Sequence, residues 1–218
     1  MKPLEIQIAT HTPVELGPYP LHLDGLLFWT LCAHTDDADQ ALSLLKGMLA
    51  HKDGVFLASA LAFVRTPLEP VTLRQAVHPT CFDWADWELP TDRKSVLELG
   101  GPFRARMTKY QAWSAPALIF HAVGDAVAIE RVLRATPGIG TNSNKGSGEI
   151  RAVSVREVAT DQSWFCEGKL SRTLPIELCP DGAGLPMSAR IFPPYNRGKS
   201  LNCFVPDFRV ITRTHTEV

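Results

Sequence analysis

The sequence predicts an α+β fold built around a β-α-β-β-α-β core, and three observations lead to it. Residues 4–9 alternate apolar and polar side chains, as a half-buried strand does. Residues 25–33 are apolar almost throughout, as in a buried helix. Residues 125–136 have helical spacing and are followed, after a glycine-rich loop, by an alternating run at 150–158. With 218 residues and 45% hydrophobic content, the chain can bury a core of this size.

The first strand, Leu4–Ala9, ends before a cluster of prolines at positions 13, 18 and 20. A helix starts at Gly25, and Asp24 is predicted to be its N-cap, since a carboxylate can accept from the first free amides. A second helix is predicted over Asp36–Leu49, where three aspartates in the first four residues suit the positive end of the helix dipole.

The run Val55–Val64 is predicted to be a strand because it is apolar and lies between Gly54 and Pro67. Val71–Val77 is expected to pair beside it. From about residue 79 to 114 no period is sustained, which indicates an insertion into the core.

A buried strand is predicted at Ala117–Val123, followed by the helix Asp125–Thr136, which ends at Pro137-Gly138. The strand Ile150–Val158 completes the order. That order is the ferredoxin-like arrangement, whose RNA-binding versions hold single strands on the sheet face and loops. In the Pro- and Gly-rich last sixty residues, apolar runs at Ser188–Phe192 and Asn202–Ile211 predict a second, partial sheet. We therefore expect a core domain over 1–160 and a β-rich region over 161–218 packed on it.

Charge is distributed unevenly along a chain whose net charge is −1. Residues 1–92 carry five basic and twelve acidic side chains, residues 93–156 carry ten and four, and the remainder carries seven of each. A positive middle segment suits a local groove for phosphates, although a chance imbalance over the surface is the alternative. The five scattered cysteines predict neither disulfides nor zinc, and no apolar run is long enough for a membrane span, so we expect a cytoplasmic protein.

The most informative local feature is the loop 138–148, with four glycines and one lysine in eleven residues. Glycine permits positive φ and close approach of another backbone, so the loop is a candidate cradle for a polyanion, with an ordinary surface turn as the alternative. It does not fit the dinucleotide fingerprint, because a helix precedes the loop and a strand follows it. It does not fit a P-loop either, because the order is Lys145-Gly146-Ser147 and no helix follows.

Three segments together resemble the RAMP superfamily of CRISPR-associated proteins, in particular the "Cas-five" type subunit of type IV CRISPR effector complexes. They are Leu21–Trp29, Gly100–Tyr110 and Gly138–Ile150. The resemblance covers about residues 1–160. It implies a non-catalytic subunit that binds the 5′ handle of the guide RNA (crRNA) and caps a filament of related backbone subunits. Its implied partners are that RNA, backbone and large subunits of the effector, and target DNA in the complex.

The resemblance also implies which residues bind RNA. The glycine-rich loop would supply Gly138, Gly140, Asn142, Asn144, Lys145, Gly146 and Gly148. The insertion would be the family's thumb, with Arg104, Arg106 and Lys109 on phosphates and Tyr110, Phe103 or Trp113 stacking on a base. Loops of the family often carry two or three basic residues after the first Gly-x-Gly, where this chain has Thr141–Asn144, so backbone N–H groups and amide side chains would contribute more here.

A metal-independent endoribonuclease that processes CRISPR repeat RNA is the alternative function. It would need a histidine as general base, and His11, His22 and His34 are the candidates. We expect structural roles for them, and no catalytic residue, metal or cofactor. The acidic cluster Asp36, Asp37 and Asp39 is expected to be a solvated helix start. Trp84 and Trp87 stand among acidic residues and suit a protein contact better than RNA.

Overall fold

A computed structural model describes residues 1–64, 111–180 and 182–207 in full and the backbone of residues 70–77, 106–110 and 209–211. The first part of the chain contains β1 (Lys2–Thr10), α1 (Leu23–Thr35), α2 (Ala38–Met48), β2 (His51–Lys52), β3 (Val55–Phe56) and β4 (Ala62–Val64). Then follow β5 (Pro70–Val77), β6 (Arg106–Trp113), β7 (Ala117–Gly124), α3 (Ala126–Arg134) and β8 (Ile150–Glu157). The C-terminal part contains β9 (Phe165–Cys166), β10 (Lys169–Leu170), β11 (Leu174–Pro175), β12 (Leu185–Ala189), β13 (Leu201–Val205) and β14 (Arg209–Ile211).

The main sheet has the strand order β14-β4-β7-β1-β8. The strands β4, β7, β1 and β8 pair antiparallel with one another in that order, and β14, at one edge of the sheet, pairs in parallel with β4. In the order of the core strands this is 2-3-1-4, with a helix after the first and after the third strand, which is the ferredoxin-like arrangement. The predicted α+β ferredoxin-like fold is therefore confirmed.

The alternation in β1 explains how the sheet is covered. Leu4, Ile6 and Ile8 are at most 1% exposed and belong to one core cluster with Leu27 of α1 and Leu133 of α3. The apolar α1 packs against both α2 and α3. A helix that is covered by neighbours on several sides is apolar on most of its faces, and this explains why the sequence of α1 is apolar almost throughout.

The helices α2 and α3 each begin directly after an aspartate whose side chain caps the helix. Asp37 accepts hydrogen bonds from the amides of Asp39 and Gln40 (2.8 and 3.2 Å), and Asp125 accepts one from Ala128 (3.0 Å). The predicted starts at Asp36 and Asp125 are thus correct within two residues. None of the helices in the described part of the chain is both long and apolar enough to cross a bilayer.

The prediction of one continuous strand at Val55–Val64 is wrong, because β3 and β4 are separated by backbone that bonds elsewhere. Leu57 donates to Ala50, Ala60 to Ser171 and Leu61 to Leu21, each at 2.7–2.8 Å. The predicted pairing of Val71–Val77 with that run is also wrong.

β5 pairs instead with β6 over its whole length, from Pro70↔Trp113 to Val77↔Arg106. The end of the predicted insertion 79–114 is therefore regular strand. Its remaining part, including Trp84 and Trp87, lies outside the described residues.

The second, partial sheet exists as β11-β13-β12, with shifted boundaries. The predicted run Ser188–Phe192 corresponds to β12 at Leu185–Ala189, and Asn202–Ile211 divides into β13 and β14, of which β14 joins the main sheet. A second, small hydrophobic cluster, separate from the main core, packs Val55 of β3 with Leu170 and Leu174 of this region. The proposed division near residue 160 remains a prediction.

Candidate nucleic-acid interface

The glycine-rich loop 138–148 is closed at its base like a hairpin. Gly138 and Glu149 form an isolated antiparallel bridge, and the Ile139 amide donates to the Gly148 carbonyl at 2.9 Å. The tip is a single turn of 3-10 helix, Ser143–Lys145. Asn144, Lys145 and Gly146 are exposed there, so the tip is the part of the loop most open to a ligand.

The rest of the loop is docked on the segment that follows β1. Gly148 donates its amide to Pro13 (2.9 Å) and Thr141 donates to the Glu15 carbonyl (2.8 Å). Ser147 Oγ accepts from the Glu15 amide at 2.9 Å. These bonds hold both arms of the loop against residues 13–15.

A side-chain contact adds to this docking. Asn142 Nδ2 donates to Glu15 Oε2 at 2.9 Å, and the Asn142 backbone is left-handed, with φ of 57°. The Thr12 hydroxyl donates to the Gly146 carbonyl at 2.6 Å and accepts from the Glu149 amide at 2.9 Å. Asn142, predicted to bind RNA, is thus engaged by Glu15.

Three of the four glycines are required by close packing, and a Cβ on the first of them, Gly138, would lie 2.8 Å from the Ser147 carbonyl oxygen. Gly140 (φ +91°) would place a Cβ against the Glu15 carbonyl oxygen, and Gly148 (φ +62°) would place one against the Ile139 carbonyl oxygen. None of the three positions tolerates a side chain without displacing backbone. Gly146 also has positive φ (+88°) but faces open space.

Many loop amides are already used within the protein. The donors are Ile139, Thr141, Lys145, Gly146, Ser147 and Gly148. In this conformation those six N–H groups are directed at protein oxygens and not at a phosphate. These bonds hold the loop against the protein, so ligand contacts would come chiefly from the tip side chains and from the cleft beside it.

That cleft, here called the loop cleft, lies between the loop and α1 and has a volume of about 390 Å³. Its lining residues are Leu21, Gly25, Leu26, Trp29, Gly138, Gly140, Ser143 and Asn144. Trp29 remains 46% exposed although it belongs to an apolar helix. No role for Trp29 follows from the sequence alone, because a helix that is apolar all round does not reveal which side faces solvent.

The predicted contacts on the insertion are placed only in part. Arg104 and Phe103 lie outside the described residues, and for Arg106, Lys109 and Tyr110 the structure describes only the backbone of β6. Trp113 is described, and its role as a stacking residue stays a prediction. Its backbone exchanges two hydrogen bonds with Val14 (2.7 and 2.8 Å), and its partly buried ring packs on the core near Phe63.

The basic middle segment is partly neutralised by its own neighbours. Arg156 pairs with the buried Glu5 at 2.6 Å, where the strand register places the two opposite each other, and Arg134 pairs with Glu130 at 2.6 Å. Glu130 is already counted among the four acidic side chains of this segment, so of these two pairs only that of Arg156 with Glu5 lowers the surplus of positive charge.

Asp24 is not the N-cap of α1, and this prediction is wrong. His22 is the N-cap residue and makes no side-chain capping bond, whereas Asp24 is the second helical residue and is fully buried. Its carboxylate accepts two hydrogen bonds from Arg172 (2.9 and 2.8 Å) and one from the Tyr195 hydroxyl (2.8 Å). A buried carboxylate needs a counter-charge, and Asp24 therefore pairs with Arg172 instead of capping the helix.

The ionisation of this cluster follows from its geometry. Burial raises the pKa of Asp24, but the charge and hydrogen bonds of Arg172 more than compensate, and the net pKa is lowered. Burial raises the Tyr195 pKa well above its usual value. Burial, reinforced by the Arg172 charge, lowers the pKa of His22 to about 3. At neutral pH the cluster is one ion pair with a neutral imidazole and a neutral phenol.

The three candidate histidines are held in different ways. His22 Nε2 accepts from the Thr173 amide (3.2 Å), and the ring stacks on Tyr195. His34 Nδ1 bonds to the Thr30 carbonyl at 2.7 Å. The His11 amide donates to the Glu149 carbonyl at 2.8 Å. A buried imidazole whose lone pair is already engaged is poorly placed to take a proton from a substrate.

The fold and the loop define this chain as an α+β protein of ferredoxin-like topology with a glycine-rich loop that is hydrogen-bonded to residues 12–15 and lies beside an open cleft. No protein-family model and no curated protein matches the sequence. Among solved structures, the chain is similar to one in the cryo-EM structure of the type III-B Cmr-beta bound to cognate target RNA, at 12% identity and a TM-score of 0.43. The match covers 72% of this chain and 61% of that one, so this chain spans about three fifths of that neighbour's length.

Proposed function

We propose that this chain is a non-catalytic RNA-binding subunit of a type IV CRISPR ribonucleoprotein. In that complex it binds the 5′ handle of the guide RNA and caps the filament of backbone subunits. The observation that carries the proposal is the docked loop on a ferredoxin-like core, with Asn144, Lys145 and Gly146 exposed beside the loop cleft. The resemblance of three sequence segments to the RAMP superfamily supplies the class of partner.

The geometry suits a single-stranded ligand. The tip offers a cation and an amide that can both donate and accept, and the adjoining cleft offers an aromatic face. A duplex would present paired bases and two backbones, whereas these groups fit one unstacked nucleotide and its phosphate. The hydrogen bonds that hold the loop on residues 12–15 would reduce the loop entropy that is lost when a ligand binds.

Binding of labelled guide RNA, followed by fluorescence anisotropy, tests the proposal. The purified chain should bind a guide with an intact 5′ handle more tightly than one whose handle is scrambled. The variants Asn144→Ala and Lys145→Gln should weaken binding, and Lys52→Gln, at an exposed lysine of the β2–β3 hairpin, is the matched control. Equal affinity for the two guides would refute handle recognition, and absence of binding at low salt would refute an RNA-binding function.

The non-catalytic part needs a separate experiment. Repeat RNA incubated with the chain in EDTA should remain intact. A specific product that disappears in His22→Gln or His34→Gln would instead establish the metal-independent endoribonuclease. The arrangement of His22, buried and neutral with Nε2 engaged by Thr173, supports the non-catalytic proposal.

A further inference from the structure

A second cleft adjoins the loop cleft at the start of α1. This C-terminal cleft has a volume of about 440 Å³ and lies between the 19–25 segment and the β12 region. Its lining residues are Tyr19, Pro20, Leu21, His22, Gly25, Thr173, Ser188, Ala189, Arg190, Tyr195, Ser200 and Val205. Leu21 and Gly25 line both clefts and form the junction between them, and the two clefts together are here called the groove.

Gly25, at the junction of the two clefts, lies against the ring of Tyr195. A Cβ on Gly25 would lie 3.0 Å from a ring carbon of Tyr195, so a side chain there would press on the tyrosine. Beneath the junction, the buried charge of Asp24 is balanced by Arg172. The floor therefore adds no net negative charge that would repel a phosphate.

The groove walls carry aromatic faces and one fixed cation. Trp29 is 46% exposed in the loop cleft, and Tyr19 is 67% exposed in the C-terminal cleft. Arg190 lines the C-terminal cleft, where its Nε donates to the Gly198 carbonyl (3.0 Å) and its Nη1 to the Tyr195 carbonyl (3.2 Å). Neither cleft has an Asp or Glu among its lining residues in the described part of the chain.

We propose that this groove is an extended single-stranded RNA track, in which a base stacks on Trp29 and a phosphate farther along pairs with Arg190. The proposal rests on the RNA-binding function and adds to it a second contact region beyond the loop. Exposed aromatic side chains combined with a cation and no carboxylate are typical of surfaces that bind single strands without sequence preference. The two carbonyl contacts fix the Arg190 guanidinium in advance, which reduces the entropy lost on pairing.

The stacking contact is tested by equilibrium binding of the labelled guide to Trp29 variants. Trp29→Ala should weaken binding about 5- to 150-fold, which corresponds to ~1–3 kcal/mol for one stacked base. Trp29→Phe should retain most of the affinity, because a phenyl ring still offers a face. Thermal unfolding of each variant shows whether the fold is intact, and an exposed residue such as Trp29 should tolerate both changes.

The phosphate contact is tested by the dependence of binding on salt. Arg190→Gln should lower affinity and reduce the slope of log affinity against log salt by ~0.7, the value for one phosphate contact on a single strand. Arg190→Lys should restore the slope. Arg131→Gln, an exposed arginine on α3 that lines neither cleft, should change neither quantity.

The outcomes separate this inference from the proposed function. If Lys145→Gln weakens binding while Trp29→Ala and Arg190→Gln bind as the unchanged chain does, the track is refuted and the proposed function stands. If the unchanged chain binds no RNA at low salt, both are refuted. Loss of affinity in Trp29→Ala with rescue by Trp29→Phe, together with the reduced slope of Arg190→Gln, establishes the track.

Discussion

Arg172 donates two parallel hydrogen bonds to Asp24, from Nη1 to Oδ1 at 2.9 Å and from Nη2 to Oδ2 at 2.8 Å, with both side chains fully buried. The same guanidinium also donates to the carbonyls of Ala58 (2.6 Å) and Ile191 (3.0 Å). One side chain thus links α1, the segment between β3 and β4, and the C-terminal region. Planar, multidentate bonding of this kind is what distinguishes arginine from lysine.

Arg172→Met should lower the free energy of unfolding by ~3–5 kcal/mol, because it leaves the Asp24 carboxylate buried without a counter-charge. Urea denaturation monitored by circular dichroism measures the change. The double variant Asp24→Leu/Arg172→Met should lose less than the sum of the two single changes, since it removes both charges.

The matched control is Glu130→Gln, which breaks the exposed Glu130–Arg134 pair on α3. Its effect should be below ~1 kcal/mol. A loss for Arg172→Met as small as that of the control would show that the buried pair does not hold the C-terminal region to α1.

Stability should fall as the pH is lowered below 6.5, because of His22. Its folded pKa is lowered to about 3 from 6.5, so between these values the unfolded chain binds a proton that the folded chain does not. The contribution is fully present above pH 6.5 and is lost toward pH 3, with a slope approaching ~1.4 kcal/mol per pH unit. Asp24, whose pKa is also lowered, adds its own loss only below its ordinary value of 3.8.

Urea denaturation at several pH values between 7 and 4.5 measures this slope. In His22→Gln the new amide oxygen can accept from the Thr173 amide as Nε2 does. The slope of the unfolding free energy against pH should then decrease by about the amount that one bound proton contributes. An unchanged slope would mean that His22 is not the responsible group.

Alanine substitutions should separate the packing glycines of the loop from the exposed one. Gly146→Ala should lower the free energy of unfolding by ~1–2 kcal/mol, through positive φ alone, since no atom lies within 4 Å of the added Cβ. Gly148→Ala should cause a distinctly larger loss, because the Cβ meets the Ile139 carbonyl oxygen as well. Thermal and urea unfolding of the two variants make the comparison, and equal losses would contradict the tight packing at Gly148.

The salt dependence of RNA binding should show that Lys145 contacts one phosphate. In Lys145→Gln the slope of log affinity against log salt should decrease by ~0.7, as expected for one contact with a single strand. Lys52→Gln should leave it unchanged. If both variants have the slope of the unchanged chain, Lys145 does not neutralise a phosphate.

The main architecture could be predicted from local sequence patterns. The alternation in β1 and the helix caps Asp37 and Asp125 depend only on residues that are close to them in the sequence. The position of the glycine-rich loop followed from the same elements. The role of Asp24 could not, since Arg172 is distant in sequence and a carboxylate near a helix start has the same local appearance as a cap. The break between β3 and β4 could not be predicted for the same reason, since Ala60 bonds to Ser171, which is distant in sequence.

Trp29 and the junction at Gly25 illustrate a second reason for missed site residues. The helix α1 has almost no hydrophobic asymmetry, so its sequence does not show that one side borders a cleft. The docking of the loop was hidden for a related reason, because Pro13, Glu15 and Ser147 meet only when β1 and β8 are neighbours. Contacts that depend on strand order become visible only once that order is known.

The attachment of the loop to residues 12–15 has a consequence for protein engineering. A transplant of 138–148 alone into another ferredoxin-like scaffold would lack the Pro13 and Glu15 carbonyls and the Thr12 hydroxyl that shape it. The smallest unit that could be transferred is therefore a pair of segments, 12–15 and 138–148, which are distant in sequence but in contact in the fold. Both would have to be grafted together to reproduce the tip.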